Sequence, residues 1–200
     1  SRQERMVNQE LFSFDKKEII VATNAFGFVK TGEGSVTFNN TLKAADVIDV
    51  SGGTLHVKGV LTAEGISVSS GTMVVDQNAS MQTFLVSGDG EFRTGFRTQK
   101  LDVADELNVS GGTFTVTGNA TTVTASRDVR ITGGTTEIRG NLTAGNVYIT
   151  GDENTSFTVN GHVSLKSLEK TGAAILTLPE YGEGTCRIGA SVFDISEPEY

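Results

Sequence analysis

The sequence predicts an all-β fold, a single-stranded parallel β-helix of about seven to eight three-strand turns with a cap at each end. Three observations predict it. A sequence motif, called the phrase below, recurs at intervals of about one turn of such a helix; apolar residues occupy alternate positions; and glycines occupy fixed positions in the motif. The composition agrees, because 24 glycines with two prolines and no tryptophan favour turns and strands over long helices.

The recurring phrase is a Gly-Gly-Thr element followed by a short strand. It is written "SGGTLHVKG" at 51–59, "SGGTFTVTG" at 110–118 and "TGGTTEIRG" at 132–140. The Ser or Thr that opens each copy, including the looser ones, occurs at positions 51, 69, 87, 110, 132 and 150, in steps of 18, 18, 23, 22 and 18 residues. One apolar-alternating strand precedes each opener and a third short segment follows the phrase, so one unit is three strands and three corners.

Alternation within these strands predicts which side chains point into the solenoid. Equivalent residues of adjacent turns lie about 4.8 Å apart, and each stacked apolar side chain contributes roughly 1.5–3 kcal/mol by burial. The predicted inward columns are Leu55, Met73, Phe92, Phe114, Thr136 and Phe157; Val57, Val75, Thr94, Val116, Ile138 and Val159; and Val50, Val68, Val86, Val109, Ile131 and Ile149. The phrase recurs because one turn cannot bury its own apolar side. The glycines are predicted at corners that need a positive φ or a close approach between turns.

Two longer steps, 87–109 and 110–131, predict turns with four or five extra residues. The extra residues fall near "FRTQKLDVADE" (96–106) and "ATTVTASRD" (120–128) and are expected to bulge at corners. Loops that protrude from a regular solenoid are frequent binding sites. The alternative is an insertion tolerated because a longer surface loop costs little free energy.

The chain divides into three predicted segments: an N-terminal cap at 1–29 with a short helix in the first ten residues, the parallel β-helix at 30–178, and a C-terminal cap or interface tail at 179–200. Both ends of a solenoid carry unpaired strand edges, so each terminal segment is expected to cover an edge or to form an interface between stacked copies. The first residue is Ser1, which indicates a processed or partial chain.

Two stretches, "KTGEGSVTF" (30–38) and "KTGAAILTL" (170–178), share Lys-Thr-Gly followed by a strand. They resemble the autotransporter-associated β-strand repeat, in which Lys-Thr-Gly-x-Gly-x-Leu-Thr-Leu precedes Gly-Gly-Thr. The later copy departs from this pattern at one position, where Ala174 replaces the second glycine. The resemblance covers 30–178 and implies a right-handed parallel β-helix like the secreted passenger domains of bacterial cell-surface proteins, which act as adhesins or rigid stalks. The stretch "GNLTAGNVYITG" (140–151) is also similar to bactofilins, polymerising β-helices of the bacterial cytoskeleton, and viral tail proteins contain similar solenoids.

The outward columns of the phrase strand were compared with what a polysaccharide-cleaving β-helix needs, which is a converging set of carboxylates. They read His56, Val74, Arg93, Thr115, Glu137 and Thr158, and Lys58, Asp76, Gly95, Thr117, Arg139 and Asn160. No carboxylate pair recurs there on adjacent turns, and the mixed charges are typical of a solvated face. The prediction is therefore a protein that is not an enzyme, with no catalytic, cofactor-binding or metal-binding residues.

The remaining candidate groups have structural interpretations. His56 and His162 come from distant turns and are predicted to be surface polar residues, not metal ligands. Acidic corners at 87–91 and 151–154 are attributed to turn chemistry instead of calcium binding. The single cysteine, Cys186, excludes an internal disulfide and is predicted to be half-buried. Six Asn-x-Ser/Thr sites are expected to be corner residues, with Asn119 and Asn141 stacked on each other; they are Asn39, Asn78, Asn108, Asn119, Asn141 and Asn154.

Charge and hydropathy restrict the partners. The net charge is −8 with no basic run, which disfavours nucleic acid and anionic membrane surfaces, and no apolar run is long enough to insert into a membrane. The expected function is a non-enzymatic structural or adhesive module at the cell surface or in the extracellular space, in contact with a surface glycan or protein. The alternatives are a self-assembling subunit of a fibre, shell or virion that forms homo-oligomers through its solenoid ends, and a carbohydrate-active enzyme.

Overall fold

The computed structural model describes residues 2–3, 11–14, 18–20, 24–179, 186–189 and 191–193. These residues form strands and corners, with no helix among them. The strands are β1 Arg2–Gln3, β2 Leu11–Phe14, β3 Glu18–Ile20, β4 Asn24–Ala25, β5 Gly27–Lys30, β6 Ser35–Phe38, β7 Leu42–Ala44, β8 Val47–Val57, β9 Leu61–Thr62, β10 Gly65–Val75, β11 Ala79–Val86, β12 Glu91–Thr94, β13 Lys100–Val116, β14 Thr122–Ile138, β15 Asn141–Ile149, β16 Ser156–Val159, β17 Val163–Lys170, β18 Ile175–Thr177, β19 Cys186–Ile188 and β20 Ser191–Phe193. The long strands bend through corners and contribute to more than one side of the coil.

The chain coils into a parallel β-solenoid of about 8 turns, which confirms the predicted fold class. Each turn contributes one short strand to each of three sheets. Face A contains the segments in register with 47–50, face B those in register with 54–57, and face C those in register with 61–62. Every pairing between successive turns is parallel, so each residue of a face lies directly over its equivalent in the turn below.

The interior is filled by stacked side chains, and all three predicted inward columns are buried. Faces A and C add two further buried columns, Phe28, Ile48, Ile66, Phe84, Leu107, Val129 and Val147, and Leu42, Leu61, Ala79, Leu101, Val123, Leu142 and Val163. An aromatic cluster occupies the centre: the rings of Phe92 and Phe114 stack with centroids 5.2 Å apart, and Phe84 packs edge-on against Phe92 at 4.6 Å. The Phe84–Phe92 contact lies within one turn, but the Phe92–Phe114 contact joins two turns, so burial here also stabilises the stack of turns.

The second glycine of each Gly-Gly-Thr phrase has left-handed backbone geometry, as predicted. Its φ is +65° at Gly53, +68° at Gly112 and +69° at Gly134. A Cβ added at Gly112 would collide with the carbonyl oxygen of Gly90 on the preceding turn. The phrase keeps this glycine because an L side chain would be strained there and would also push two turns apart.

The two Lys-Thr-Gly copies form the same kind of A–B corner near opposite ends of the solenoid. Gly32 and Gly172 both have positive φ values, +71° and +78°. Lys30 points inward and is fully buried, and its ammonium donates to the carbonyl oxygens of Thr31 at 2.5 Å and Gly52 at 3.1 Å. Lys170 donates to the carbonyl oxygen of Gly172 at 3.3 Å. In both copies the lysine therefore donates to carbonyl groups of its own corner, from the interior in the case of Lys30 and from the surface in the case of Lys170.

The extra residues of the two long turns lie at the B–C and C–A corners, and the first long turn has one more at its A–B corner, where residues 87–90 stand in place of the three in its neighbours. Within the first long turn (residues 83–105) and the second (106–127), the B–C corner has six residues, 95–100 and 117–122, where neighbouring turns have three. The C–A corner has one additional residue in each. The prediction of bulging corners at these turns agrees with this register. The spacing did not indicate how the extra residues divide among the corners.

Both terminal segments contribute strands to the coil. β2, β3 and β4 pair in parallel with β5, β6 and β7, so the parallel ladder includes part of the segment predicted as an N-terminal cap. Of the first ten residues, where a helix was predicted, the structure describes only β1, which pairs with β3; the others lie outside the described residues. At the other end β19 pairs with β17 and is followed by the antiparallel strand β20. The capping role of both segments stays a prediction.

Two threonines in the inward columns allow a paired stability test. Thr136 is fully buried and its hydroxyl has no hydrogen-bond partner in the described structure. We expect Thr136→Val to raise the free energy of unfolding by about 1 kcal/mol, because a near-isosteric methyl group removes an unsatisfied polar atom. The hydroxyl of Thr94 accepts the Thr117 N–H at 3.0 Å. Thr94→Val is therefore expected to cost about 1–3 kcal/mol. Urea denaturation checks both variants, and effects of the same sign would contradict this account.

Cys186 provides a test of the C-terminal strands. It is 1% exposed in β19, more deeply buried than predicted, and burial raises the pKa of its thiol. A raised pKa means less thiolate at any given pH, so we expect the native protein to react with a thiol reagent far more slowly at pH 8 than the protein in urea does. The native rate should rise only at a pH above the ordinary thiol pKa. Equal rates in the native and denatured protein would contradict the burial of this end.

Candidate functional site

The six-residue B–C corners of the long turns project from the solenoid as two adjacent β-turns. The Thr98 N–H donates to the Gly95 carbonyl oxygen at 3.3 Å, and the Thr121 N–H donates to the Gly118 carbonyl oxygen at 3.2 Å. Buried hydroxyls fix both turns to the coil: Thr121 donates to the carbonyl oxygen of Thr98 at 2.5 Å, and Thr98 donates to that of Gln77 at 3.0 Å. The corners are therefore held in place rather than loosely attached.

These anchored turns expose an aromatic and a cationic side chain. Phe96 is 82% exposed, the most exposed large hydrophobic residue of the described chain, and Arg97 beside it is also exposed. A shallow cleft of about 360 Å³ lies between the two turns, lined by Phe96, Arg97, Gln99, Asn119 and Ala120 among others. Exposing a phenylalanine to this extent forfeits the stabilisation of burying it, so packing does not explain its presence.

The projecting turns end in a step, because the next two turns have three-residue B–C corners. A polar cleft of about 590 Å³ lies at this step, lined by Asn119, Arg139, Asn141, Asn160, Gly161 and His162. The Asn141 side-chain oxygen accepts the His162 N–H at 2.8 Å, which holds the two short corners together. Arg139 donates from Nε to the Glu137 carboxylate at 2.8 Å. The side-chain amides of Asn119 and Asn160 make no hydrogen bond to the described part of the chain.

The additional residues at the C–A corner belong to a second feature, an ion-pair cluster. Asp105 and Arg127 are the additional residues of the two long turns, and Arg127 Nε lies 2.9 Å from the Asp105 carboxylate. Arg130 lies 3.5 Å from Glu106 and 3.6 Å from Asp128, joining the two turns. Its guanidinium also stacks over the Tyr148 ring, 4.4 Å from the centroid.

This cluster contains a carboxylate pair that the sequence reasoning missed. Glu106 and Asp128 are directly paired on adjacent turns of face A, whereas only the outward columns of face B had been compared. Each carboxylate faces an arginine and an asparagine: Asn108 donates to Glu106 at 3.2 Å, and Asn146 donates to Asp128 at 3.2 Å. Oxygens that already accept these bonds are poorly placed to take a substrate proton, so the arrangement serves to join the turns.

Face C carries a third feature, a groove lined mainly by small polar side chains. Thr62, Ser80, Asp102 and Thr124 occupy its outward column on four successive turns, and the groove beside them has a volume of about 400 Å³. Its lining also includes apolar side chains, among them Ala63 and Met81, so the hydroxyls and the one carboxylate lie beside apolar groups. The groove lies between the projecting B–C corners and the ion-pair cluster.

The two histidines, both predicted as surface polar residues, have different surroundings. His56 is half-buried and its Nε2 lies 2.9 Å from the Asp76 carboxylate on the next turn. His162 is exposed at the step described above. Val74 was predicted to point outward into solvent, but it is only 9% exposed. It lies between the longer side chains of His56 and Arg93 on the neighbouring turns, which cover it.

The asparagines of the Asn-x-Ser/Thr sites divide into two groups. Asn39, Asn119 and Asn154 are exposed, and Asn78, Asn108 and Asn141 are half-buried. The Asn78 side-chain oxygen accepts the N–H groups of Gln99 and Lys100, so it is a corner residue that joins two turns. The predicted stacking of Asn119 on Asn141 is wrong. Asn141 pairs with Thr122, because the longer corner carries Asn119 out of the ladder.

Within the described residues no three His, Cys, Asp or Glu side chains come together as a metal site, and Asp152 at one acidic corner instead accepts the Asn154 N–H at 3.0 Å. The described residues include no helix with the length and apolar character that a membrane span requires. No family model, curated protein or solved structure matches the chain. The structure itself is a parallel β-solenoid, which is consistent with a β-helix.

Proposed function

We propose that this chain is a non-enzymatic structural and adhesive module of the cell surface, related in role to the passenger β-helices of autotransporters. The observation that carries the proposal is the contrast between a constant interior and the projecting B–C corners of the two long turns. The inward columns continue unbroken from Phe28 to Leu165, whereas the two long turns raise Phe96 and Arg97 out of the surface. A rigid rod with one projecting edge suits a protein that holds a contact surface at a fixed place.

Physical chemistry supports rigidity in particular. A solenoid whose turns are joined by backbone hydrogen bonds, stacked aromatic rings and ion pairs between turns has no hinge in its regular part. Asn78, Thr121 and Arg130 each bond to a neighbouring turn, so the corners as well as the strands are tied together. Preorganised surfaces bind with little loss of conformational entropy, which favours an adhesive role for the projecting corners.

Labelling of intact cells tests the location. Lys43, Lys58, Lys100 and Lys166 are exposed and therefore accessible to amine reagents. If the proposal holds, a membrane-impermeant amine reagent applied to intact cells of the source organism labels the protein as fully as it does after lysis. Labelling only after lysis would overturn the proposal.

A variant with shortened corners tests adhesion. Removing residues 96–98 and 119–121 gives both long turns the three-residue B–C corner of their neighbours. Beads coated with the unchanged protein should be retained by the source organism's surface matrix, and beads coated with the shortened variant should not. Circular dichroism and the melting temperature report whether the variant keeps its fold. Equal retention of both bead types, with the fold intact, would contradict an adhesive role for these corners.

A second candidate, self-assembly through the solenoid end, is favoured by the last turn. Within the described chain, β19 covers only the 163–165 part of β17, and neither 168–170 nor β18 has a strand beyond it. Ile175 in β18 is 54% exposed. Under this alternative, sedimentation shows a mass that rises with protein concentration, and Ile175→Lys abolishes the rise because a charge on an edge strand opposes pairing. A monomer at every concentration would contradict it.

A further inference from the structure

We propose that the B–C edge of the solenoid, from Phe96 to His162, is a binding site for an oligosaccharide. This inference rests on the adhesive role proposed above and names the ligand class. The site joins the cleft between the two projecting turns with the polar cleft at the step, and Asn119 lines both. Four successive turns contribute, so the site runs along the solenoid axis for about 14 Å at the strand spacing of a β-sheet.

The aromatic group is the first argument. A pyranose ring has an apolar face of C–H groups and a rim of hydroxyls, so it needs a flat apolar surface with polar groups beside it. Phe96 presents such a surface, since its ring is 82% exposed on a turn anchored by the Thr98 hydroxyl. Covering that ring with a sugar removes apolar area from water, which compensates for an exposure that gives the fold nothing.

The planar polar groups are the second argument. A side-chain amide offers both a donor and an acceptor, which matches a hydroxyl that also donates and accepts. Asn119 and Asn160 project amides that make no hydrogen bond to the described residues. Arg139 adds a guanidinium oriented by Glu137. Since Asn141 ties its corner to the backbone of His162, the polar groups sit on a preorganised base.

Size and charge distinguish an oligosaccharide from other ligands. A cleft of about 590 Å³ lies within the usual range for small-ligand sites, and its length along the axis suits a linear chain of sugars better than a single ring. The cleft is open and polar, without the apolar centre of a protein–protein contact. The net charge of −8 opposes a nucleic acid.

The test is a binding measurement on the purified full chain. Saturation-transfer NMR is run with hexasaccharides of the xylan, mannan, cellulose, chitin and polygalacturonate series, and titration calorimetry follows for those that bind. At least one series is expected to bind, with saturation transfer to the sugar C–H protons. Phe96→Ala and Asn160→Ala should each raise the Kd about tenfold or more, as expected for central contacts.

The matched controls are Phe26→Ala and Asn154→Ala, an exposed phenylalanine and an exposed asparagine outside the site; both should leave the Kd within about twofold. No binding by any series at millimolar concentration would overturn the inference, as would binding that neither site variant weakens.

The result of the cell-surface labelling is interpreted separately from the binding result. A labelled protein that binds no glycan refutes the ligand class alone, whereas an unlabelled protein refutes the proposed function whatever the glycan result.

Discussion

Gly112→Ala is expected to lower the free energy of unfolding by about 3–5 kcal/mol. Two causes act together. Gly112 has a φ of +68°, where an L residue is strained by about 1–2 kcal/mol. Its added methyl group would also collide with the carbonyl oxygen of Gly90, a backbone atom that cannot rotate away. Relief requires the two turns to separate, which breaks hydrogen bonds and side-chain contacts between them. Denaturant unfolding measures the loss.

Gly95→Ala is the control for this variant. Gly95 lies in the B–C corner of the first long turn without a positive φ, and an added Cβ would first meet a side-chain oxygen of Asp76 at 3.1 Å. We expect a cost under about 1.5 kcal/mol, because the corner can shift by a few tenths of an ångström. Equal costs for the two alanines would show that the left-handed corner is not what the Gly-Gly-Thr phrase protects.

Phe114→Ala is expected to destabilise the protein by about 3–5 kcal/mol, through lost burial and a cavity that the stacked turns cannot close. The Phe114 ring is fully buried, with its centroid 5.2 Å from that of Phe92 and 5.5 Å from that of Phe84. Because the contacts join three sheet segments on two turns, hydrogen-exchange protection should fall first in the turns on either side of the cavity. Denaturant midpoints and exchange rates together locate the effect.

Phe96→Ala is the matched control, since it deletes the same ring from a position that is 82% exposed. Its effect on the free energy of unfolding should lie within about 0.5 kcal/mol of zero. A loss below about 1 kcal/mol for Phe114→Ala would mean that the ring does not belong to a packed interior. The two phenylalanines thus separate a residue kept for stability from one whose presence packing leaves unexplained.

The interior was predictable because its cause is local and repeated. Alternation fixes the direction of each side chain, and a recurring Gly-Gly-Thr fixes the phase of alternation in every turn. Phe92, Phe114 and Phe157 could therefore be assigned to one buried column without knowledge of the coordinates. The inward threonines were assigned correctly as well, but only the structure distinguishes Thr94, whose hydroxyl is bonded, from Thr136, whose hydroxyl is not.

The surface features were less predictable, since they depend on how the long turns distribute their extra residues. Asp105 and Arg127 form an ion pair only because each turn has one additional residue at the same C–A corner. The spacing of the Ser or Thr residues that begin each phrase gives the total length of a turn. It does not show at which corner the extra residues lie. For the same reason the sequence led to the wrong prediction that Asn119 stacks on Asn141. The longer B–C corner instead places Asn119 at the step. Comparing the outward columns of face A would have found Glu106 beside Asp128.

Distances between turns test the central claim, the vertical registry of the coil, most directly. Spin labels are placed in a Cys186→Ser background at Thr37 and, in three separate proteins, at Thr115, Thr158 or Thr177, all in one outward column of face B. Four, six and seven steps of the ladder predict Cα separations of about 19, 29 and 34 Å. Pulsed dipolar spectroscopy should give distances that increase in this order by about 4.8 Å per turn. Distances that do not scale with the number of turns would contradict the stacked solenoid.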